Sequence, residues 1–443
     1  MQIAYIAAGA ADMVCGSCLH DNTLARALIR MGEQVTLVPT YTPLKTDEEN
    51  VSLGRVFFGG VNVFLAQQFA AYRLLPRWLT RGLDSPRVLR WATRGAGSVD
   101  PAQLGPMTVS MLRGELGGQR RELEELVDWL LAEVKPDIVH LSNSMLLGMA
   151  RRISQRCGPP IVCALSGEDL FLEGLPQPYY DEVRGLLRER AAEVDAFTAL
   201  NAYYADTMAQ YLSVPRSRIH VVPHGVDLEG YGEAPPARGP GAPLRIGYLA
   251  RVCHAKGLHQ LVEACEQMAA DPQMPAFELV AAGYLGKGDR QYLRDLERAA
   301  ERGRLAGRFR YVGTLSRVEK IAFLQSLDLF SIPTVYQEAK GLPALEALAC
   351  GVPVVLPDHG SFPEIIAATG GGVLFRAGDV AHLAETLRSL ALQREAAQEH
   401  GERGRRAVIE RFHADRMAAE TLSLYQTLTG PPATTDGKAG AQG

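Results

Sequence analysis

The chain has no apolar run long enough to cross a bilayer, no excess of either charge, no Asp-x-Asp pair in a loop suited to a divalent cation, and few cysteines. Each absence narrows the reading. Without a run of about 20 apolar residues there is no membrane-spanning helix to expect, and Met1 to Ile6 read as a strand rather than a signal segment. Forty-six basic and 50 acidic residues leave a net charge of −4, which argues against a whole-protein grip on nucleic acid. Seven cysteines, an odd number scattered over 443 residues, fit reduced thiols in a cytoplasm better than a disulfide framework. Cys15 and Cys18 spell C-x-x-C, so a redox pair stays open as a minor alternative. No second Cys/His pair stands at ligand spacing, so a bound metal is not expected. No G-x-G-x-x-G with an acidic residue after the following strand is present, which weakens a nicotinamide dehydrogenase reading.

What is present is ordinary in bulk and specific in places. A content of 47% hydrophobic and 22% charged residues suits a globular enzyme, and the length suits two or more domains. Residues 2 to 8 read as a buried strand, followed by a glycine-bearing turn with Gly16 and Ser17, a helix from about Asp21 to Met31, and a second strand over 34 to 39. Further strands are expected at 137 to 141, ending near His140, and at 160 to 165, ending in Ser166-Gly167-Glu168-Asp169. Residues 234 to 241, Ala-Pro-Pro-Ala-Arg-Gly-Pro-Gly, form a linker with no capacity to build a core. Beyond it, a strand over 244 to 250 leads into Arg251-Val-Cys-His-Ala-Lys256-Gly257 and a helix, placing two cations at a tight turn before a helix start. Both could reach a diphosphate, the arginine with two parallel hydrogen bonds.

Residues 331 to 364 organise the rest. A strand ends near Pro333, and a loop carries Glu338 and Lys340. Gly341 then permits tight backbone geometry, and Pro343 sits in the first turn of a helix over Ala344 to Cys350. Gly351 stops that helix before a buried strand over 352 to 356. Such a strand–turn–helix leaves free amides suited to a phosphate. Glu338 and Glu346 would repel a phosphate, so they suit sugar hydroxyls instead. The ligand read from this stretch has both phosphate and sugar.

Glu338, seven residues and Glu346, with Gly341-Leu-Pro between and Gly351-Val-Pro-Val-Val behind, resembles the signature of glycosyltransferase family 4, whose members are retaining nucleotide-sugar transferases of the GT-B fold. The resemblance implies two Rossmann-like parallel-sheet domains facing each other across a cleft. The expected boundaries are 1–227 for an acceptor domain, 228–243 for a linker and 244–411 for a donor domain. A helix at 412–429 crosses back to the first domain, and 430–443 form a disordered tail. It implies that Arg251 and Lys256 face the leaving diphosphate and that Glu338 orients the sugar, these three being the catalytic candidates. Gly16, Ser17, Lys340, Gly341 and Leu342 would bind the donor, Glu346 its ribose, and backbone at Thr314 and Leu315 its base. No metal and no cofactor beyond the nucleotide sugar are implied.

Two departures stand out. Where the family carries a histidine that reaches the transferred sugar, this chain has Ser166; Ser166 itself, Glu168, Asp169 or His140 are the substitutes to consider. Lys340 stands where the family more often has an aromatic or aliphatic residue. The loss of the histidine keeps open a non-catalytic alternative, a nucleotide-sugar-binding protein with weakened chemistry. Between 73 and 94, six arginines accompany Trp78 and Trp91 with only Asp84 opposed. That segment is either an amphipathic hairpin on its own domain or a contact with an anionic membrane or acceptor. The acceptor, the sugar and the base leave no side-chain trace.

Overall fold

The computed structural model describes residues 1–9, 16–58, 101–231 and 241–430. The arginine-rich segment 73–94, most of the Pro/Gly linker and the tail beyond 430 lie outside the described residues.

Two six-stranded, all-parallel sheets organise the chain. The first runs β2 (Gln34–Pro39), β1 (Gln2–Ala7), β3 (Ile138–Leu141), β4 (Ile161–Leu165), β5 (Ala196–Ala199), β6 (Ile219–Val221). The second runs β12 (Gly372–Phe375), β11 (Val354–Pro357), β10 (Leu329–Ser331), β7 (Leu244–Leu249), β8 (Phe277–Ala282), β9 (Phe309–Tyr311). Strands such as Ile161-Val-Cys-Ala-Leu165 are buried along their whole length, as continuous apolar runs are when helices cover both faces of a parallel sheet. The fold is GT-B, with two Rossmann-like lobes. In each sheet the chain reverses its winding direction once: between β1 and β3 in the first lobe, and between β7 and β10 in the second. The crevice outside the carboxyl ends of strands at such a reversal is where open α/β sheets receive ligands.

Helix starts and stops differ from the sequence reading where packing overrides local propensity. The first helix spans Gly16–Arg30 rather than starting near Asp21, because Cys18 and Leu19 bury their side chains and extend it toward its N-terminus. The stretch after β12 forms three helices: Val380–Leu392, Arg394–Arg411 and Ala414–Thr429. The last of these packs Met417, Leu422, Leu424 and Tyr425 against Ile3 and Tyr5 of the first sheet. Its entry point is pinned to the end of the first lobe: the Val226 amide donates to Phe412 O at 2.7 Å, and the Ala414 amide to Val226 O at 3.0 Å.

The lobes touch through reciprocal insertions. Leu19 of the first lobe packs in the core of the second, and Ala339 of the second packs in the core of the first.

Candidate functional site

Three loops of the second lobe, after β7, β10 and β11, converge at the cleft. Gly257 adopts φ +76°, and a Cβ there would stand 1.7 Å from Pro333 O, so only glycine lets the β7 loop lie against the β10 loop. The Val335 amide then donates to Ala255 O at 2.9 Å, tying the two loops by backbone. From the third loop, the Ser361 amide donates to Glu338 O at 2.7 Å. Gly341, at φ +67°, starts the helix Leu342–Ala349, and a Cβ there would meet Ile365 Cδ1 at 2.3 Å. That helix is almost entirely apolar and buried, so packing rather than an amphipathic stripe holds it in place. By helix geometry, its first amides have no partner within the helix.

This scaffold brings Lys256 and Glu338 together. Lys256 Nζ donates to Glu338 Oε2 at 2.5 Å, and Tyr336 OH donates to the same oxygen at 2.8 Å, while Lys256 also meets the Tyr336 hydroxyl. The Lys340 amide donates to Glu338 Oε1 at 3.2 Å. Glu338 is 8% exposed. Burial pushes its carboxyl up, but the Lys256 charge and the hydrogen bonds from Lys256, Tyr336 and Lys340 outweigh that and hold it at about 2. Arg251 is exposed at the mouth of the same loop, its Nε 3.3 Å from Cys253 Sγ. The three residues read as catalytic candidates therefore lie on loops that meet, with one difference from expectation: Lys256 is engaged by Glu338, so an incoming anion would share it.

Glu346 lies one turn into the buried helix, 4% exposed, accepting from Lys320 Nζ at 2.6 Å and Tyr231 OH at 3.0 Å. Lys320 also pairs with Asp47 of the first lobe at 2.6 Å. Burial alone would lower the Lys320 ammonium, yet the Glu346 and Asp47 carboxylates raise it. Beside it, Arg317 bonds Asp227 O at 2.9 Å and Glu229 O at 3.0 Å in the hinge. Thr314 is exposed and Leu315 half-buried just before this helix, whose start is closed by a capping box of Ser316 and Glu319.

The first lobe supplies backbone and small side chains. Lys340 crosses to it, its Nζ 2.5 Å from Ser17 Oγ, and Cβ atoms built at Gly16 and Gly167 would each lie 3.8 Å from its stem. Asn201 donates to Ala339 O at 2.7 Å. Glu364 accepts from the Ala202 and Tyr203 amides at 2.9 and 2.5 Å, at the start of a first-lobe helix. The substitutes considered for the missing histidine are engaged elsewhere. Glu168 accepts from the Ser144 and Ser166 amides at 3.0 and 2.7 Å, and Asp169 from Tyr204 OH at 2.7 Å. His140, 1% exposed, stacks on Tyr5 and bonds Tyr425 OH at 2.5 Å beneath the last helix, so the structure does not bring it to the cleft. Ser166 itself is half-buried beside Gly167. Cys18 is buried in its helix, and Cys15 lies outside the described residues.

Sequence reasoning missed Tyr336, Lys320, Asp47, Tyr231, Asn201 and Glu364. Lys320 had a usable signal: it precedes Ile321 and Leu324 on the buried face of its helix, where an unpaired lysine would be costly. Among the described residues no helix is long and apolar enough to cross a membrane, and no group of three or more His, Cys, Asp and Glu side chains stands ready to hold a metal.

Comparison with known proteins carries the same pattern. Residues 237–407 match the family model for glycosyl transferases group 1, and residues 90–229 match that for glycosyltransferase family 4. Alpha-maltose-1-phosphate synthase of Mycobacterium tuberculosis is 30% identical over 261 residues, a match covering 53% of this chain and 65% of that protein, just under two-thirds of the relative's length. Sucrose-phosphate synthase of Thermosynechococcus elongatus superposes with TM-score 0.70 at 16% identity, covering 97% of this chain and 99% of that one. HepE of Anabaena, solved in complex with UDP, superposes with TM-score 0.67 at 16% identity over 97% of this chain and 100% of its own. With its two parallel-sheet lobes, its charged loops at the second lobe's winding reversal and both family models matched in order along it, this chain belongs to glycosyltransferase family 4.

Proposed function

We propose that the protein is a retaining glycosyltransferase that moves a hexosyl group from a nucleotide-diphosphate sugar to an acceptor hydroxyl, without a divalent metal. The observation that carries this reading is the Lys256–Glu338 pair at the winding reversal, with Arg251 on the same loop and a buried helix start at Gly341 beside it. As the donor bond breaks, negative charge grows on the β-phosphate. Arg251, Lys256 and the amides of Gly341 and Leu342 attract that charge more strongly in the transition state than in the ground state. These cations and amides do the neutralising that a metal ion would otherwise do. Glu338, held ionised down to about pH 2, accepts from sugar hydroxyls as the anomeric carbon turns positive. Glu346 accepts from the ribose alongside Lys320 and Tyr231. The carboxylates lie on the donor side of the cleft, so neither takes a glycosidase's acid role across the bond; retention is read from family membership.

The test is a thermal-shift panel of UDP-, GDP- and ADP-sugars. One nucleotide should raise the melting point by mass action, and its sugar form should hydrolyse slowly without acceptor. A panel with no stabilising nucleotide would sink the reading. The engaged states of Glu168, Asp169 and His140 favour one second reading, a nucleotide-sugar-binding protein with weakened chemistry. Donor binding with no hydrolysis and no transfer would select it.

A further inference from the structure

Three lysines of the second lobe reach into or across the cleft, and they are not equally matched. Lys256 meets Glu338, and Lys320 meets both Asp47 and Glu346. Lys340 meets only a hydroxyl: among the described residues its ammonium bonds Ser17 Oγ and makes no ion pair. Its backbone amide turns toward Glu338 while its side chain runs the other way, between the start of the Gly16–Arg30 helix and Gly167. What surrounds the ammonium favours an anion. Ser17 is in the first turn of a 15-residue helix that carries no acidic residue there. His224, 2% exposed, has a ring Nε2 with no hydrogen-bond partner, and its ring meets that of His20 edge-on at 5.0 Å. Burial lowers the His224 imidazole well below its usual range, and the neighbouring His20 and Lys340 add to that. A half-buried ammonium with donors to spare, at a helix start and near the buried His224 ring with its unpartnered Nε2, is electrostatically incomplete.

Resting on the glycosyltransferase reading above, we propose that Lys340 and Ser17 form an anion subsite, distinct from the diphosphate clamp, that selects a substrate bearing a carboxylate or phosphate monoester. The Lys340 side chain passes within van der Waals reach of the loop where Ser166 replaces the family's histidine. It therefore brings a positive charge, carried on the opposite lobe, to the region that residue leaves polar but uncharged. Two sources present the same chemistry: a uronic acid as the transferred sugar, or a phosphorylated acceptor.

The test uses the full-length protein. Binding of UDP-glucuronate is compared with that of UDP-glucose, with the base exchanged if the panel selects another. Separately, glucose 6-phosphate and glucose are titrated onto protein saturated with the nucleoside diphosphate. In one of the two comparisons the anionic ligand should bind at least ~10-fold tighter. Lys340→Met should bring the ratio to near one, and Lys340→Arg should retain most of it. A preference in the donor arm places the anion on the transferred sugar, and one in the second arm places it on the acceptor. If UDP binds but neither arm shows a preference, or if a preference survives Lys340→Met, the subsite is overturned and the donor reading stands. If no nucleoside diphosphate binds, both fall.

Discussion

On the second lobe the cleft is lined by paired charges, Lys256 with Glu338 and Lys320 with Glu346, whereas the first lobe offers glycines, Ser17 and the carboxylates Glu168 and Asp169, already engaged by its own amides and the Tyr204 hydroxyl. The two walls place their groups by different means. Glycine at positive φ and backbone bonds bring three loops of the second lobe close enough for opposite charges to meet. In the first lobe the same polar residue types, Glu168 and Asp169, stabilise a loop and leave a surface shaped by what is missing at Gly16 and Gly167. On the proposed reading, chemistry and donor recognition concentrate on the second lobe's wall. The other sets how closely a ligand can approach.

The comparison is broken most severely at Lys320, the one buried cation that, among the described residues, pairs with carboxylates of both lobes. Lys320→Ala leaves the buried carboxylates of Asp47 and Glu346 facing each other without a counter-charge, a loss of about 3–5 kcal/mol. A melting-point drop on the order of 10 °C should follow, read by calorimetry. A change under 2 °C would mean that the walls are not coupled there. Arg251 is the opposite case, exposed and unneeded for packing. Arg251→Ala should lower the rate with the best donor by at least ~100-fold while the melting point barely moves. Full turnover in that variant would remove it from the leaving-group clamp.

How much of this was legible in the sequence follows the same division. Glu338, Gly341, Pro343 and Glu346 sit within nine residues, so local rules about turns, helix starts and strand ends located them. Central strands such as β4 announced themselves as apolar runs, because a strand buried on both faces has no polar side, whereas the edge strands β6 and β9 carry exposed positions and give no such run. What could not be read were partnerships set by topology. Lys256 was seen as a phosphate ligand, yet its nearest carboxylate, Glu338, lies 82 positions along the chain. Asp47 is an unremarkable acidic loop residue until the second lobe brings Lys320 to it. His140, at the end of a strand, could have faced either the cleft or the core, and only the return of the last helix, with Tyr425, decides for the core. Lys340 was visible as an oddity, but that it spans to Ser17 was not.

Acid titration separates the lobes again, through two of the groups held on the low side of their usual range. Burial among Tyr5 and Tyr425 pushes the His140 imidazole down to about 3, with His20 adding to the effect. The unfolded chain therefore binds a proton that the folded chain refuses, and stability declines as pH falls from about 6.5 toward 3. Glu338 is depressed from 4.5 to about 2, so its contribution is intact above pH 4.5 and is lost as pH falls through about 2. Each should give a slope approaching about 1.4 kcal/mol per pH unit within its own window. His140→Phe should lessen the slope in the upper window only, where the buried His224 imidazole still contributes, and Glu338→Gln should lessen it in the lower only. A single variant that flattened both would show that the lobes titrate as one unit.

The smallest effect is expected where the walls meet by a single carboxylate. Glu364 belongs to the second lobe but closes the N-terminus of the first-lobe helix Ala202–Leu212, accepting the Ala202 and Tyr203 amides. It works as an added N-cap, since Asn201 already accepts from Tyr204 N at 2.8 Å. Glu364→Ala removes that second acceptor and the favourable placement of a negative charge at a helix start, about 1 kcal/mol together. Because the amides belong to one lobe and the carboxylate to the other, the loss falls on the contact between lobes rather than on either core. Differential scanning calorimetry should register little change in the melting of each lobe, while hydrogen exchange at Ala202 and Tyr203 should speed up several-fold. Unchanged exchange there would mean that the helix start is protected by its own cap, and that Glu364 adds nothing to the contact between lobes.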